Sequence, residues 1–446
     1  MSPLLISLIF AQVPASDGGL SRVTLVFGGD VIPHDPVKYV ARARAKTGNE
    51  DNNGGWDHVF GPIRPVLERA DFAIVNLETP VGWFKTPEKG EMTFNAQPPL
   101  IHALKRAGVD VAAFANNHCL DQHREGITST REFLADAGLL SSGCDINEEA
   151  AWKPLVLEKD GMRIGLFVVT RWLNGFNNKL DATLPHVPIV PYDPKAARKD
   201  GLPVEPIVGD KKVDDFLELV KKYSAEVDAL FVFIHWGAEY KHNPASDDRR
   251  LAKLMLDSGA FSVIGMHPHV LQPLEFLEPS AGGKRLVMFS LGNLVSNQDF
   301  DKPAGTKKDS LLLELELVKE NGVVRLEKTH AVPVATENQL GVGLKRNVQA
   351  VLIDEELVAI DDRLTELGAR ADAAAKSERK ELLDRRKLAW DRRARIVTFV
   401  PEGVIDPAPV AAAAPTFASD AGVRVATPTP TPPTLPTPTP APAARP

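Results

Sequence analysis

An α/β fold is predicted by three features of the chain. Short β-branched, apolar runs alternate with segments of helical spacing from residue 22 to about residue 270. Nearly every Asp, Glu, Asn and His of interest falls where one of those apolar runs stops. Two further runs, Leu311 to Val318 and Val323 to Val334, are split by Asn321-Gly322 and read as a closing hairpin.

Arg22 to Gly29 (RVTLVFGG) reads as a strand whose glycines let the chain turn and leave the Asp30 carboxylate at its tip. Trp56 to Arg69 has helical spacing, with Pro62 and Pro65 near its start. Asp71 to Val75 is a buried strand ending in Asn76-Leu77-Glu78. Leu100 to Ala107 reads as a helix and Val109 to Ala115 as a strand that stops at Asn116-Asn117-His118, with Asp121 three residues on. Arg124 to Ala137 is a helix and Arg163 to Thr170 a strand. Residues 171–210, rich in Pro, Asn and Asp, are expected to shape a cleft rather than a core. Val213 to Tyr223 is a helix, and Ala229 to Ile234 a strand ending in His235-Trp236-Gly237. The Asp247–Leu256 helix leads through Gly259 to a strand, Phe261 to Ile264, that stops at Gly265-Met266-His267-Pro268-His269. Pro268 pushes His267 toward extended geometry, in which residues i and i+2 point the same way. Both imidazoles are therefore expected to face one spot beyond the strand's carboxyl end. Leu286 to Phe289 is a strand ending in Ser290-Leu291-Gly292-Asn293.

Any one of these tip residues, Asn116 and Asp121 above all, reads equally as a turn or cap residue. Five tips carrying ligand-type side chains are harder to explain that way. Asp30, Asn76, Glu78, Asn117, His118, His235, His267 and His269 offer carboxylate, amide oxygen and imidazole without thiolate. Such a set suits Mn, Fe or Zn and is poorly matched to a structural zinc cluster. A carboxylate shared by two ions about 3.5–4 Å apart would serve a two-metal hydrolase, with His118 just outside as the acid for a leaving group.

Composition narrows the alternatives. The chain has 446 residues, 43% hydrophobic and 25% charged, which suits a soluble globular protein with a large core. A net charge of -7, with no basic block in the first 340 residues, argues against nucleic acid as a partner. Met1 to Ala15 (MSPLLISLIFAQVPA) lacks a basic n-region but has an apolar run followed by small residues. Residues 1–21 are therefore expected to be a signal-like segment, making the chain exported, periplasmic or envelope-associated, with a cytoplasmic location as the alternative. Cys119 and Cys144 set no disulfide framework and are expected to be small buried hydrophobes. Residues 340–400 read as a helical hairpin or short coiled coil, with the basic run from Arg385 to Arg395 on a solvated face. Residues 401–446, Pro/Thr/Ala-rich around TPTPTPPTLPTPTP, are expected to be a disordered, extended tail.

Gly29-Asp30, Asn76-Leu77-Glu78, Asn116-Asn117-His118 with Asp121 and Gly126, His235-Trp236-Gly237-Ala238-Glu239-Tyr240, Gly265-Met266-His267-Pro268-His269-Val270 and Ser290-Leu291-Gly292-Asn293 resemble, in that order, the motifs of the CapA (PGA_cap) capsule-synthesis family. That family is similar to the calcineurin-like metallophosphoesterases. Over about residues 22–335 the resemblance implies a four-layer α/β/β/α sandwich around two divalent ions (Mn, Fe or Zn). It implies Asp30, Glu78, Asn117, His235, His267 and His269 as metal ligands and His118 in the place of the catalytic histidine. Asn76, Asn116, Asp121, Glu239 and Asn293 would support the site or the substrate. Two departures stand out: Gly28-Gly29-Asp30 carries no Asp-x-His, and Met266 stands where the family often has the first of two histidines.

The resulting expectation is an exported, metal-dependent hydrolase-like protein acting on poly-γ-glutamate, another acidic or phosphorylated envelope polymer, or a phosphoester. Membrane export or ligase subunits are its expected partners. The rival expectation is a non-catalytic polymer-binding or export scaffold on the same fold. A third is a general phosphoesterase or nucleotidase.

Overall fold

The computed structural model describes residues 20–45, 54–84, 92–178, 181–203, 211–298, 306–340, 346–368, 370 and 372–409. Residues 1–19 of the signal-like segment and 410–446 of the Pro/Thr-rich tail lie outside the described residues. No helix among the described residues is long and apolar enough to cross a membrane.

The architecture is mixed α/β, with two β-sheets and flanking helices. Strands β1 (Ser21–Val31), β2 (Phe72–Leu77), β3 (Val111–Phe114) and β4 (Leu140–Gly143) run parallel in one sheet. Strands β12 (Asp309–Glu320), β13 (Val323–Leu340) and β14 (Arg346–Leu352) extend that sheet antiparallel beyond β1, in the order β14-β13-β12-β1-β2-β3-β4. The short β11 (Asn293–Val295) pairs with the tip of β1. The second sheet has the order β5-β6-β7-β8-β10-β9, with β5 Leu155–Lys159, β6 Met162–Thr170, β7 Ala229–His235, β8 Ser262–Met266, β9 Leu271–Leu277 and β10 Arg285–Leu291.

Side-chain alternation along the strands decides what packs where. On β1, Val23, Leu25 and Phe27 enter the largest apolar cluster together with Phe231, Phe233 and Ile264 of the second sheet. The Phe27 ring centroid is 5.4 Å from that of Phe231, so the two sheets face each other across this cluster. Val26, one residue out of phase, points the other way, toward helices α1 (Asp35–Ala45), α2 (Trp56–Phe60), α3 (Arg64–Glu68) and α4 (Pro99–Arg106). On the outside of the second sheet, Phe167, Val232 and Val263 pack against residues that include Phe216, Val220, Leu251 and Met255. Helix α5 (His123–Asp136) carries Ile127 into the inter-sheet cluster, and α6 (Glu148–Ala151) and α7 (Pro194–Asp200) are short. Phe216 and Val220 lie on α8 (Val213–Ser224), and Leu251 and Met255 on α9 (Ser246–Asp257).

Several readings change. Trp56 to Arg69 is not one helix: a 3₁₀ turn, Gly61–Ile63, separates α2 from α3, because Pro62 and Pro65 have no N–H for a continuous ladder. Val348 and Leu352 belong to β14 and not to a helix, since the edge of β13 offers a backbone ladder that helical spacing does not reveal. Residues 171–210 also build core: Leu173, Val187 and Ile189 are fully buried between the sheets. Cys119 and Cys144 are buried and free.

The helical hairpin forms from α10 (Ile353–Leu367) and α11 (Ala373–Val397), but it is docked on the sheets. Ile353, Leu357, Ala389 and Ile396 join the inter-sheet cluster. The basic run is solvated only in part: Lys387 is exposed. Arg392 and Arg393 are buried, Arg393 Nε lies 2.6 Å from Asp354 Oδ1, and Arg395 Nε lies 2.8 Å from Asp309 Oδ2. Carboxylates on α10 and β12 that are remote in sequence turned what looks like a solvent stripe into a docking face.

Candidate metal centre

The parallel strands β1, β2, β3, β7 and β8 deliver their carboxyl ends to one place, as open α/β sheets do. At Gly29 the β1 backbone comes so close to β11 that a Cβ would sit 2.0 Å from Gly292 O. Glycine therefore permits the Asp30 N–H to donate to Gly292 O at 2.9 Å, which sets the carboxylate beside Asn293.

Asp30, Asn76, Glu78, Asn116, Asn117, His118, His235, His267, His269 and Asn293 are all buried together here, with Asp121 at the edge and Glu239 half-buried. Three groups have ligand atoms within 4.8 Å of one another: Glu78, His235 and His267; Asp30, Glu78 and His269; Glu239, His267 and His269. Glu78 belongs to two of them. Its Oε1 has no hydrogen-bond partner, yet it lies 3.5 Å from His235 Nε2, 3.8 Å from His269 Nε2 and 3.9 Å from His118 Nε2. Those spacings are too long for hydrogen bonds. Two ligand atoms each about 2.1 Å from a common ion lie about 3.0–3.9 Å apart for bond angles of roughly 90–140°, so the spacings suit a shared cation. His267 Nδ1 is likewise buried without a partner. The residues present fit a divalent ion bound by oxygen and nitrogen.

Burial pushes the Glu78 carboxyl well above its ordinary range, and the Asp30 carboxylate adds to the shift. Burial, followed by the nearby His267 and His269, holds His235 well below the ordinary histidine value; His267 is lowered in the same way, burial first. Neutral imidazoles are the ligand form, and a bound cation would draw the Glu78 proton off.

The surrounding hydrogen bonds orient these side chains. Asn293 Nδ2 donates to His269 O, Gln298 Oε1 and Lys307 O, so its Oδ1 is the atom that faces His269 Nδ1 at 3.1 Å. Asp30 Oδ2 is the second acceptor there, at 3.2 Å. The His269 proton therefore resides on Nδ1, leaving the Nε2 lone pair toward Glu78. Asn116 Nδ2 donates to Asn76 Oδ1 and Leu77 O, and Asn76 Nδ2 in turn donates to Asp30 Oδ1 at 2.7 Å and Glu78 Oε2 at 3.3 Å. Asn117 Oδ1 lies 2.8 Å from His235 Nε2, while its Nδ2 donates to Asn174 Oδ1. His118 Nδ1 donates to Asp121 Oδ2 at 2.7 Å, the same oxygen that accepts the Phe94 N–H. That leaves His118 Nε2 as the edge turned to Glu78. Asp121 is thus an orienting group for His118 and not a helix cap.

The histidine pair converges by a different route from the expected pleat. His267 has φ 98° and His269 φ 57°, both outside the extended region. At Gly265 a Cβ would meet Phe289 O at 2.1 Å, so glycine lets β8 lie close against β10 just before the chain turns at the histidine pair. Residues unforeseen from sequence also reach it. His34, four residues beyond Asp30, accepts the Asn297 N–H at its Nδ1, and burial together with the charges of His269 and His118 lowers its pKa to about 4. Its place just past a strand tip was the available signal. Asn174, Gln298 and Lys307 carried none, because each arrives from a loop or a short 3₁₀ turn.

Comparison with known proteins follows the same boundaries. The profile of the family described as bacterial capsule synthesis protein PGA_cap matches residues 24–298. The chain is 26% identical over 330 residues to the PGA biosynthesis protein CapA of Bacillus subtilis, covering 73% of this chain and 78% of that one. It is 27% identical over 321 residues to the capsule biosynthesis protein CapA of Bacillus anthracis, covering 71% and 69%. A probable polyglutamine synthesis accessory protein of Mycobacterium tuberculosis is 27% identical over 312 residues, covering 63% and 76%.

Proposed function

From the premise that this chain belongs to the bacterial capsule synthesis PGA_cap family, we propose that it is a metal-dependent hydrolase of metallophosphoesterase type, acting on a poly-γ-glutamate-like or other envelope polymer or on a phosphoester. In this reading the two facing sheets and their outer helices are the four-layer α/β/β/α sandwich of that class. The observation that carries the proposal is Glu78 Oε1, unpartnered and surrounded by three imidazole nitrogens at 3.5–3.9 Å.

Asp30, Glu78, Asn117, His235, His267 and His269 would hold two divalent ions (Mn, Fe or Zn), and Glu239 stands with the histidine pair in a further group of ligand type. Such ions supply an activated water and Lewis acidity at the scissile group. The chain's own residues do the rest. Asn76 and Asn116 hold the carboxylates by a relay of amide hydrogen bonds, and Asn293 fixes the His269 tautomer. Asp121 accepts from His118 Nδ1 and so holds the ring with its Nε2 edge turned into the cluster, where it would hand a proton to a departing oxygen or nitrogen. Export to the envelope, with partners among polymer-synthesis or membrane-export subunits, completes the reading; mature protein from the native cell should then lack its first residues.

The scaffold reading is favoured by one observation, the absence of an Asp-x-His at Gly28-Gly29-Asp30 together with Met266 in place of a histidine. A single variant separates the two. His118→Asn should keep its Mn or Zn content, measured by mass spectrometry of the full chain. Its turnover of poly-γ-glutamate or of an activated aryl phosphodiester should fall at least about a hundredfold. Loss of metal would make His118 a ligand. Wild-type protein that turns over neither substrate with metal supplied would sink the hydrolase and leave the scaffold.

A further inference from the structure

The hydrogen bonds that fix histidine tautomers sort the imidazoles of this centre into roles, and one imidazole is left over. His34 Nδ1 accepts the Asn297 N–H at 3.1 Å. A ring nitrogen that accepts carries no proton, so the proton of the neutral ring sits on Nε2. His269 has the reverse arrangement: its Nδ1 faces the acceptors Asn293 Oδ1 and Asp30 Oδ2, and its Nε2 keeps the lone pair. One segment sets both, since Asn293 begins β11 and Asn297 lies two residues past its end. A metal ligand must present a lone pair to the ion. His34 presents an N–H instead.

The ring nevertheless stands at the centre. It meets Phe94 edge-on at a centroid distance of 5.2 Å, and the Phe94 ring is 4.1 Å from that of His118. After burial, the charges of His269 and His118 are the next influences on it, and all three keep it neutral. His118, His267 and His269 are buried, whereas His34 is only half-buried. The residues that follow His34 and Phe94 in sequence, Asp35 and Asn95, line a cleft of ≈ 470 Å³. His34 and Phe94 thus stand where that cleft meets the metal centre. No described residue bonds to His34 Nε2, and this nitrogen is not among the polar atoms sealed from solvent without a partner. The N–H is therefore open to a ligand.

On the hydrolase reading above, we infer that His34 is a substrate-binding residue of this centre and not a metal ligand. Its Nε2–H donates to an oxygen of the scissile group, phosphoryl or acyl, and stabilises the negative charge that builds on that oxygen as the bond breaks. The donor is held in place before substrate arrives, by the Asn297 N–H on one edge and the Phe94 ring on its face, so little reorganisation is needed. The division of labour with His118 follows from what each Nδ1 touches. His118 Nδ1 lies against the Asp121 carboxylate, which supports a change of protonation at the other nitrogen. His34 Nδ1 lies against a backbone N–H, which opposes a second proton on the ring. One imidazole transfers a proton; the other keeps its proton and donates a hydrogen bond.

The test uses the full chain supplied with Mn or Zn. His34→Phe keeps a ring against Phe94 and removes the donor, and His34→Gln restores an N–H near the Nε2 position. Both variants should carry as much metal as wild type by mass spectrometry. In His34→Phe, kcat should fall about 10²–10³-fold with KM little changed, as for loss of one donor to a developing oxyanion. His34→Gln should recover at least about tenfold of that loss. An activated aryl phosphodiester and poly-γ-glutamate are assayed side by side, and the one turned over shows whether the oxygen is phosphoryl or acyl. Calorimetric titration with inorganic phosphate reads the same donor without turnover: affinity should drop at least about tenfold in His34→Phe and return in His34→Gln. If His34→Phe fails to melt cooperatively, His34→Leu supplies the donor-free variant. Metal loss in a folded variant would make His34 a ligand and overturn the assignment. Unchanged kcat in His34→Phe, or a glutamine variant no better than phenylalanine, would overturn it too. Phosphate binding that depends on His34 in a chain hydrolysing neither substrate would keep the donor and remove only the hydrolase. Wild type that binds no phosphate and hydrolyses nothing would overturn both.

Discussion

Replacing Glu78 by glutamine tests the metal centre at its most connected atom. Glu78 is shared by the Glu78/His235/His267 and the Asp30/Glu78/His269 groups, so one isosteric change strikes both. The glutamine carbonyl can occupy the Oε2 position and still accept from Asn76 Nδ2, now at 3.3 Å. Its NH₂ then takes the place of Oε1, facing imidazole nitrogens at 3.5–3.9 Å to which a donor can move closer. The variant should therefore fold without metal at least as well as chelated wild type, which buries an unpartnered carboxyl oxygen at a cost of about 1–3 kcal/mol. The difference appears on adding the ion. A ligand that binds only the folded state adds about 2.7 kcal/mol at a concentration of one hundred times its Kd. For a folded unit of this size that is a rise of about 3 °C in Tm. Thermal melts of chelated and Mn- or Zn-supplemented protein should show that rise in wild type and less than about 1 °C in Glu78→Gln, with bound metal reduced at least about tenfold. A variant that keeps both the rise and the metal, or a wild type that shows neither, refutes the reasoning.

Two other expectations concern regions away from the metal centre. Asp248 is buried 3.6 Å from Arg171, and burial pushes its carboxyl up to about 7 although Arg171 opposes the shift. The folded state then holds a proton that the unfolded chain releases near pH 3.8, so this group's contribution to stability falls as pH rises from about 4 to about 7. The total is on the order of 4 kcal/mol at most. Urea unfolding of Asp248→Asn at pH 4.5 and 7.5 should show a flatter pH dependence than wild type, and an identical slope would refute the shift. Deleting the residues beyond Pro409 should leave Tm unchanged. Deletion beyond Lys345 should abolish cooperative melting, because it strips Ile353, Leu357, Ala389 and Ile396 from the inter-sheet cluster and leaves Asp309 without Arg395; a sharp transition in that shorter chain would show the hairpin to be dispensable.

Much of this was legible in one dimension because it rests on local periodicity. Val23, Leu25 and Phe27 against Val26, or Phe231 and Phe233 against Val232, alternate with a period that any reader of the sequence can count, and each strand ends where the apolar run ends. Parallel strands joined through helices bring their carboxyl ends together, so Asp30, Glu78, Asn117, His235 and His267 could be gathered before any distance was known. The fold class and the chemical type of the centre follow from that local information.

Everything else depended on partners far along the chain. Which nitrogen of His269 carries the proton is decided by Asn293, whose own orientation is set by Gln298 and Lys307. The histidine pair turns inward through two positive φ angles that Pro268 does not encode. Residues 346–352 have helical spacing yet pair as a strand, since the exposed edge of β13 satisfies their backbone. Arg393 and Arg395 look like a solvated stripe until Asp354 and Asp309 arrive beside them. A residue's period along the chain is a property of its neighbours in sequence. Burial, tautomer and ion pairing are properties of its neighbours in space, and only the folded chain supplies those.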